Sequence, residues 1–169
     1  MPERRRPSIY DGDPRNLYRW REDESGRPVV AVWEITRACD LKCKHCGSRA
    51  GKAAPDELST EGALDVVHQL ASLGLREVTL IGGEAYLRHD WHVIAAEITR
   101  SGMVCTIVTG ARNLTQERVD QAVAAGVKLI GVSIDGLEET HDAQRGYNGS
   151  WRNALEDARR VRQSPVHLG

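Results

Sequence analysis

Four short apolar runs, Val29 to Thr36, Val78 to Ile81, Val104 to Thr109 and Lys128 to Ser133, recur along this chain, each rich in β-branched residues and each followed by a helical window. No other feature limits the fold as strongly. Nearly continuous apolar runs of this length read as strands covered on both faces. The windows between them have recognisable ends. Ser59 is placed to cap a helix whose Ala63, Val67 and Leu70 share one face, with Gly74 closing it, and Trp91, Ile94, Ala95 and Ile98 line a second that ends near Gly102. Thr115 to Ala125, closed by Gly126, is the third, and Ser150 to Val161 the fourth. Strand then helix, four times, predicts an α/β fold of about four parallel βα units with right-handed crossovers.

Residues 1–28 lack that pattern. They are polar, with turn chemistry at Asp11-Gly12-Asp13-Pro14 and Ser25-Gly26-Arg27-Pro28, and read as a leader ahead of a domain over residues 29–169. A length of 169 residues, 40% of them hydrophobic, suits one packed domain. A formal charge of -1 argues against nucleic acid or an anionic membrane as partner, and Arg4-Arg5-Arg6 reads as a solvated tail. The N-terminus has no apolar signal-peptide core, and no stretch approaches the roughly 18 apolar residues of a membrane helix, so a cytoplasmic location is expected. In a reducing compartment, clustered cysteines serve metals or redox chemistry more often than structural disulfides.

Three of the four cysteines stand in the stretch CDLKCKHCGSRAG, directly after the first strand, at the strand end where α/β folds place their chemistry. Cys39, Cys43 and Cys46 are expected in a loop, converging on a metal. A structural zinc ion needs a fourth ligand. His45 is expected to point away if Cys43 and Cys46 converge, and Cys105 lies in an apolar strand, where a buried inert thiol is the default. Three ligands with no evident fourth suit a four-iron cluster with one iron left open.

C-x-x-x-C-x-x-C after the first strand, then Gly82-Gly83-Glu84 after the second, resembles the radical S-adenosylmethionine (SAM) superfamily. SIDG at Ser133 to Gly136 followed by HDAQRG at His141 to Gly146 is similar to its sulfatase- and peptide-maturase branch, the SPASM-type enzymes. The resemblance covers about residues 29–161. It implies an incomplete (β/α)6 partial TIM barrel, a [4Fe-4S] cluster on Cys39, Cys43 and Cys46, bound SAM, and reductive cleavage of SAM to a 5′-deoxyadenosyl radical that modifies a peptide or protein. It further implies an external electron donor such as flavodoxin or ferredoxin.

The residues have their own reading beside the resemblance. Gly82 and Gly83 allow a sharp turn and close backbone approach, and Glu84 then offers a carboxylate to the SAM ammonium. Ser133 and Arg145 match the family positions that hold the SAM carboxylate, with neither Glu84 nor Arg145 touching the cluster. Asp135 is expected to face the same mouth, within reach of ribose or substrate. His45 is expected to pack against the cluster or hydrogen-bond to it, and Trp33 belongs to the core.

Three departures accompany the resemblance. Ala85 replaces the proline that often follows Gly-Gly-Glu, and the third strand ends in Thr109-Gly110-Ala111 where Thr-Asn-Gly is common. The chain also stops after four strand–helix units, without units five and six or a C-terminal cysteine cluster. The chain is then expected to be either a fragment of a longer protein or a short product whose barrel a second copy or a partner chain completes, with an open pairing edge on the fourth strand. The alternative function is a non-catalytic remnant that binds a metal or cluster and serves as an interaction module.

Overall fold

A computed structural model describes residues 28–169, so all but the last residue of the polar leader lies outside it. The elements are β1 (Val30–Glu34), α1 (Thr60–Ser72), β2 (Glu77–Ile81), α2 (Trp91–Arg100), β3 (Val104–Thr109), α3 (Gln116–Ala124), β4 (Leu129–Val132), α4 (Glu138–Arg145), α5 (Ser150–Arg162) and β5 (His167–Leu168). The five strands are parallel and stand in sequence order, β1-β2-β3-β4-β5.

Sequential order decides the architecture. Right-handed crossovers that always step the same way leave their helices on one face, as in a barrel, whereas a doubly wound sheet reverses direction and covers both. One cross-strand row, Trp33, Leu80, Ile107, Ile130 and Leu168, faces the helices. There it meets Ala63, Val67, Ile94, Ile98, Val119 and Val161, all almost fully buried. The opposite row carries Val32, Thr79, Thr106 and Leu129. Val32 remains 65% exposed and Val30 52%. The expectation of strands covered on both faces is therefore corrected: this is a barrel wall whose concave face lies open among the described residues.

The predicted helix ends are in place. The Ser59 hydroxyl accepts the Gly62 N–H at 3.2 Å, the Thr115 hydroxyl accepts that of Arg118 at 3.4 Å, and Gly74, Gly102 and Gly126 turn left-handed just past α1, α2 and α3. Two elements were not anticipated. Helix α4 carries the HDAQRG stretch, and its polar sequence concealed it because only His141 and Arg145 are buried. Strand β5 pairs His167 with Leu129 and Leu168 with Ile130, so the expected open edge on the fourth strand is corrected and a fifth strand begins within the chain. Two residues are too short a run for the hydrophobic pattern to register.

Buried charge pins β1 to the segment leading into α1. Arg88, 7% exposed, donates to Ile35 O at 3.2 Å and Leu58 O at 2.8 Å, and its Nε lies 2.6 Å from Asp90 Oδ1. Removing one partner of such a pair strands a charge in low dielectric. Arg88→Leu is expected to cost about 3–5 kcal/mol in urea unfolding, while Arg88→Leu combined with Asp90→Leu recovers part of the loss. A single variant as stable as the parent would show that the pair is solvated.

Candidate functional site

The cysteine loop is closed at its base by backbone bonds, Cys39 N–H to Gly51 O at 3.0 Å and Gly51 N–H to Arg37 O at 2.8 Å. Its return is held by Glu57, which accepts the Thr36 hydroxyl and the amides of Arg37 and Ala54 at 2.8 to 2.9 Å. The far side rests on α4, where Lys42 and Lys44 donate to the carbonyls of Arg145 and Gln144 at 3.4 and 2.8 Å.

The Gly82-Gly83 turn clasps this loop from below. Gly83 donates to Thr36 O at 2.9 Å and Glu84 to Ala38 O at 2.8 Å. A Cβ on Gly82 would sit 2.3 Å from Thr36 O, and one on Gly83 2.1 Å from Ala38 O. No side chain fits at either position, so both glycines are there for close backbone approach.

Cys39, Cys43, Cys46, Gly82, Gly83, Glu84, Ser133 and Arg145 all line one cavity of about 280 Å³ over the C-terminal ends of β1 to β4. The Leu41 amide donates to Cys39 Sγ at 3.4 Å, the Ala50 amide to Cys46 Sγ at 3.4 Å, and Arg145 Nη1 to Cys43 Sγ at 3.8 Å. Arg145 therefore reaches a cysteine sulfur, against the expectation that it stands clear of the cluster. Burial pushes the Cys39 thiol up to about 11 and raises that of Cys43 as well, so both are protonated at neutral pH and loading them releases protons. Cys105 is fully buried in the core and pushed up to about 12 by burial, an inert thiol as expected.

These residues fit a cluster better than a single ion. Among the described residues no three His, Cys, Asp or Glu side chains stand close enough to share one metal ion. The expected convergence on one point is corrected to three thiols around one cavity. A cubane takes one thiolate per iron, and amide donors to sulfur are what its thiolates need. His45 does line the cavity, 3.7 Å from Asp135 through Nε2.

Glu84 is 2% exposed, with Oε1 accepting the Gly110 amide at 2.7 Å and Oε2 accepting the Thr109 hydroxyl. Burial pushes its carboxyl up to about 7 despite those donors. Arg145, also buried, places Nε 2.6 Å from Asp135 Oδ2 and donates through Nη2 to Asp135 Oδ1 at 3.1 Å and Ser133 O at 3.3 Å. Asp135 does not line the cavity; it stands behind Arg145 and holds it. Ser133 meets Arg145 through its carbonyl rather than its hydroxyl.

Gly110 separates the two charged groups. A Cβ there would lie 2.6 Å from Leu41 Cδ1, 2.8 Å from Glu84 Oε1 and 3.4 Å from Arg145 Nη1. The departure from Thr-Asn-Gly thus keeps the space between Glu84 and Arg145 open. Ala111, next to it, is held at φ +53°, which costs a non-glycine residue on the order of 1 kcal/mol.

The sequence motifs contained Thr109, Gly110, His141 and Asp142, but no role in the site was read for them. His141 is fully buried, its Nδ1 accepting the Asp135 amide at 3.2 Å and its Nε2 lying 3.3 Å from Ser150 Oγ, with burial and then Arg145 holding its pKa down. Asp142 accepts the amides of Gly149 and Trp151 at 2.6 and 2.8 Å and so anchors the start of α5. The available signal was the i, i+4 spacing of His141 and Arg145, which puts both on one helical face.

A family model described as "Radical SAM superfamily" matches residues 33–167. The chain is similar to Fe-coproporphyrin III synthase of Methanosarcina barkeri, 34% identical over 157 residues, 92% of this chain and 39% of that protein. It is similar also to PqqA peptide cyclase of Bradyrhizobium diazoefficiens, 32% identical over 149 residues, 85% of this chain and 38% of that protein. SuiB of Streptococcus suis bound to S-adenosylmethionine shares the fold with a TM-score of 0.72 at 18% identity, over 83% of this chain and 33% of that one. The chain thus spans well under half the length of each.

Two expectations follow from the geometry. Replacing Cys39, Cys43 or Cys46 by alanine abolishes iron uptake on anaerobic reconstitution, and Cys105→Ala does not; iron retained by the Cys43→Ala protein would refute the assignment. The second concerns pH in the cluster-free protein. Unfolded Glu84 ionises near 4.5 and folded Glu84 at about 7, so the folded state keeps a proton the unfolded state has lost, and stability falls as pH rises across that window. Glu84→Gln is expected to flatten the fall by on the order of 3 kcal/mol, measured as unfolding free energy at pH 5 and pH 8.

Proposed function

This chain belongs to the radical SAM superfamily, and on that premise we propose that it holds a [4Fe-4S] cluster on Cys39, Cys43 and Cys46, with SAM beside it, for radical modification of a peptide or protein. The cofactors expected from the sequence are those of the superfamily. Bound together, they supply a one-electron cleavage of SAM that starts hydrogen abstraction from substrate. The observation that carries this reading is the common cavity: three thiols, a buried carboxyl and a buried guanidinium open on the same space.

The chain's own residues have definable tasks there. Glu84 sits near its titration point, so an arriving ammonium draws the proton off its carboxyl and fixes the negative charge. Asp135 and the Ser133 carbonyl occupy Nε and Nη2 of Arg145, which leaves Nη1, already turned to Cys43, for the carboxylate of SAM. The Asp135 amide bond to His141 holds that loop in place. Gly110 keeps the two ends of the amino-acid binding space apart. No helix among the described residues is long and apolar enough to cross a membrane.

Similarity to PqqA peptide cyclase supports a peptide substrate. Similarity to Fe-coproporphyrin III synthase supports a second reading in which the substrate is a tetrapyrrole. With SAM and reductant present, 5′-deoxyadenosine output rises above the substrate-free rate for the correct class, and a rise with a panel of tetrapyrroles but not with peptides would overturn the first reading in favour of the second. A protein that takes up zinc but no iron or sulfide would be the non-catalytic module instead.

Charge-assisted hydrogen bonds contribute about 1.5 to 3 kcal/mol each, so Glu84→Gln or Arg145→Ala is expected to weaken SAM binding roughly ten- to a hundredfold. Titrating SAM into the reconstituted protein, followed by the cluster's electron paramagnetic resonance signal, measures this. Wild-type affinity in both variants would refute the roles assigned to the two residues.

A further inference from the structure

Two residues after Glu84, in a single turn of 3-10 helix over Ala85–Leu87, Tyr86 carries a phenol into the core. Arg118 of α3 lies over its ring, 4.5 Å from the centroid, and covers that face. The hydroxyl oxygen stands 3.3 Å from Thr109 Oγ1 and 3.5 Å from the Asn113 amide nitrogen. Burial and then the nearby Glu84 charge raise its ionisation above the usual tyrosine range, so the phenol keeps its proton and stays a donor.

The direction of each bond follows from counting protons. Thr109, itself buried, has one hydroxyl hydrogen and two lone pairs on Oγ1. The hydrogen goes to Glu84 Oε2, because an ionised carboxylate only accepts. The Ala111 amide at 2.8 Å fills one lone pair and the Tyr86 hydroxyl fills the other. One direction remains for the Thr109 hydrogen, and it points at Glu84. Without the Tyr86 proton a lone pair of Thr109 stays unfilled in the core, and the hydroxyl is free to turn away from the carboxylate.

We propose that Tyr86 is a positioning residue for SAM: it aims the Thr109 proton at Glu84 and so holds the carboxylate toward the cavity, where the SAM ammonium is to be met. The inference rests on the SAM-binding reading above. Glu84 and Thr109 line the cavity and Tyr86 does not, so any influence of the Tyr86 hydroxyl on SAM passes through another residue. Thr109 is that residue, with the Gly110 amide at 2.7 Å fixing the other carboxylate oxygen. The phenol also ties this corner to the cysteine loop. Asn113, whose amide it accepts, donates through Nδ2 to Asp40 Oδ2 at 2.5 Å. A side chain that only filled the core would need the ring and not the hydroxyl.

Tyr86→Phe keeps the ring and removes the donor. In the reconstituted full chain, with SAM titrated against the cluster's electron paramagnetic resonance signal, it is expected to weaken binding about three- to tenfold and to leave iron content as in the parent. Thr109→Val weakens binding at least as much, Thr109→Ser stays within about twofold of the parent, and Tyr86→Phe adds nothing further once Thr109→Val is present. The cluster-free chain gives an independent readout. Urea unfolding of the two single variants and the double variant is expected to show a coupling of about threefold or more in the unfolding equilibrium constant. Parental SAM affinity in Tyr86→Phe, independent effects of the two substitutions, or loss of iron from Tyr86→Phe overturns the proposal and leaves Tyr86 as packing. Failure of the parent to take up iron or to bind SAM overturns the SAM-binding reading instead, and the coupling in the cluster-free chain then decides whether Tyr86 acts on Thr109.

Discussion

Two backbone hydrogen bonds hold the site together. Gly83 and Glu84 donate from the end of β2 to Thr36 O and Ala38 O at the root of the cysteine loop, at a separation that admits no Cβ on either glycine. Because the contact is main chain to main chain, it fixes the loop relative to the strand ends with little freedom to slide. The same turn that supports the thiols delivers the Glu84 carboxyl beneath them. Three cysteines in a loop of this length would otherwise sample many separations.

The charged groups are arranged around that clasp so that each is partly compensated. Glu84 is buried with two donors and an elevated carboxyl pKa, and Arg145 is buried against Asp135. They are not paired with each other: Gly110 lies between them and leaves open space. On the proposed function, a buried carboxyl near its titration point and a guanidinium whose Nη1 reaches only Cys43 Sγ would serve a ligand that carries both an ammonium and a carboxylate. Their desolvation cost has already been met in folding, so both groups are fixed in place before any ligand arrives.

The sheet's open concave face belongs to the same economy of construction. Sequential parallel strands with helices on one side produce a wall, and a wall exposes whatever its inner row contains. On that face the buried Thr106 hydroxyl is within hydrogen-bond distance of Glu77 and Thr79, so polar groups lie beside the exposed Val30 and Val32 and the face is not simply an apolar core laid bare.

The sequence by itself determined the strand and helix alternation, the caps at Ser59 and Thr115, and the residues of the cysteine, Gly-Gly-Glu and arginine motifs. Each of these is local: a run of β-branched residues, a capping hydroxyl or three cysteines in eight positions is legible without knowing what lies across the fold. Strand order and the single layer of helices were expected only through the resemblance to a partial barrel, and the two-residue β5 and polar helix α4 were decided only by tertiary structure, because all four depend on contacts between segments distant in sequence. The same holds within the site. Arg145 lies 102 positions from the thiol it reaches, and Gly110 matters for a gap whose two sides are Glu84 and Arg145. Periodicity reports which side of its own element a residue occupies; it carries no information about which residue of another element will stand opposite.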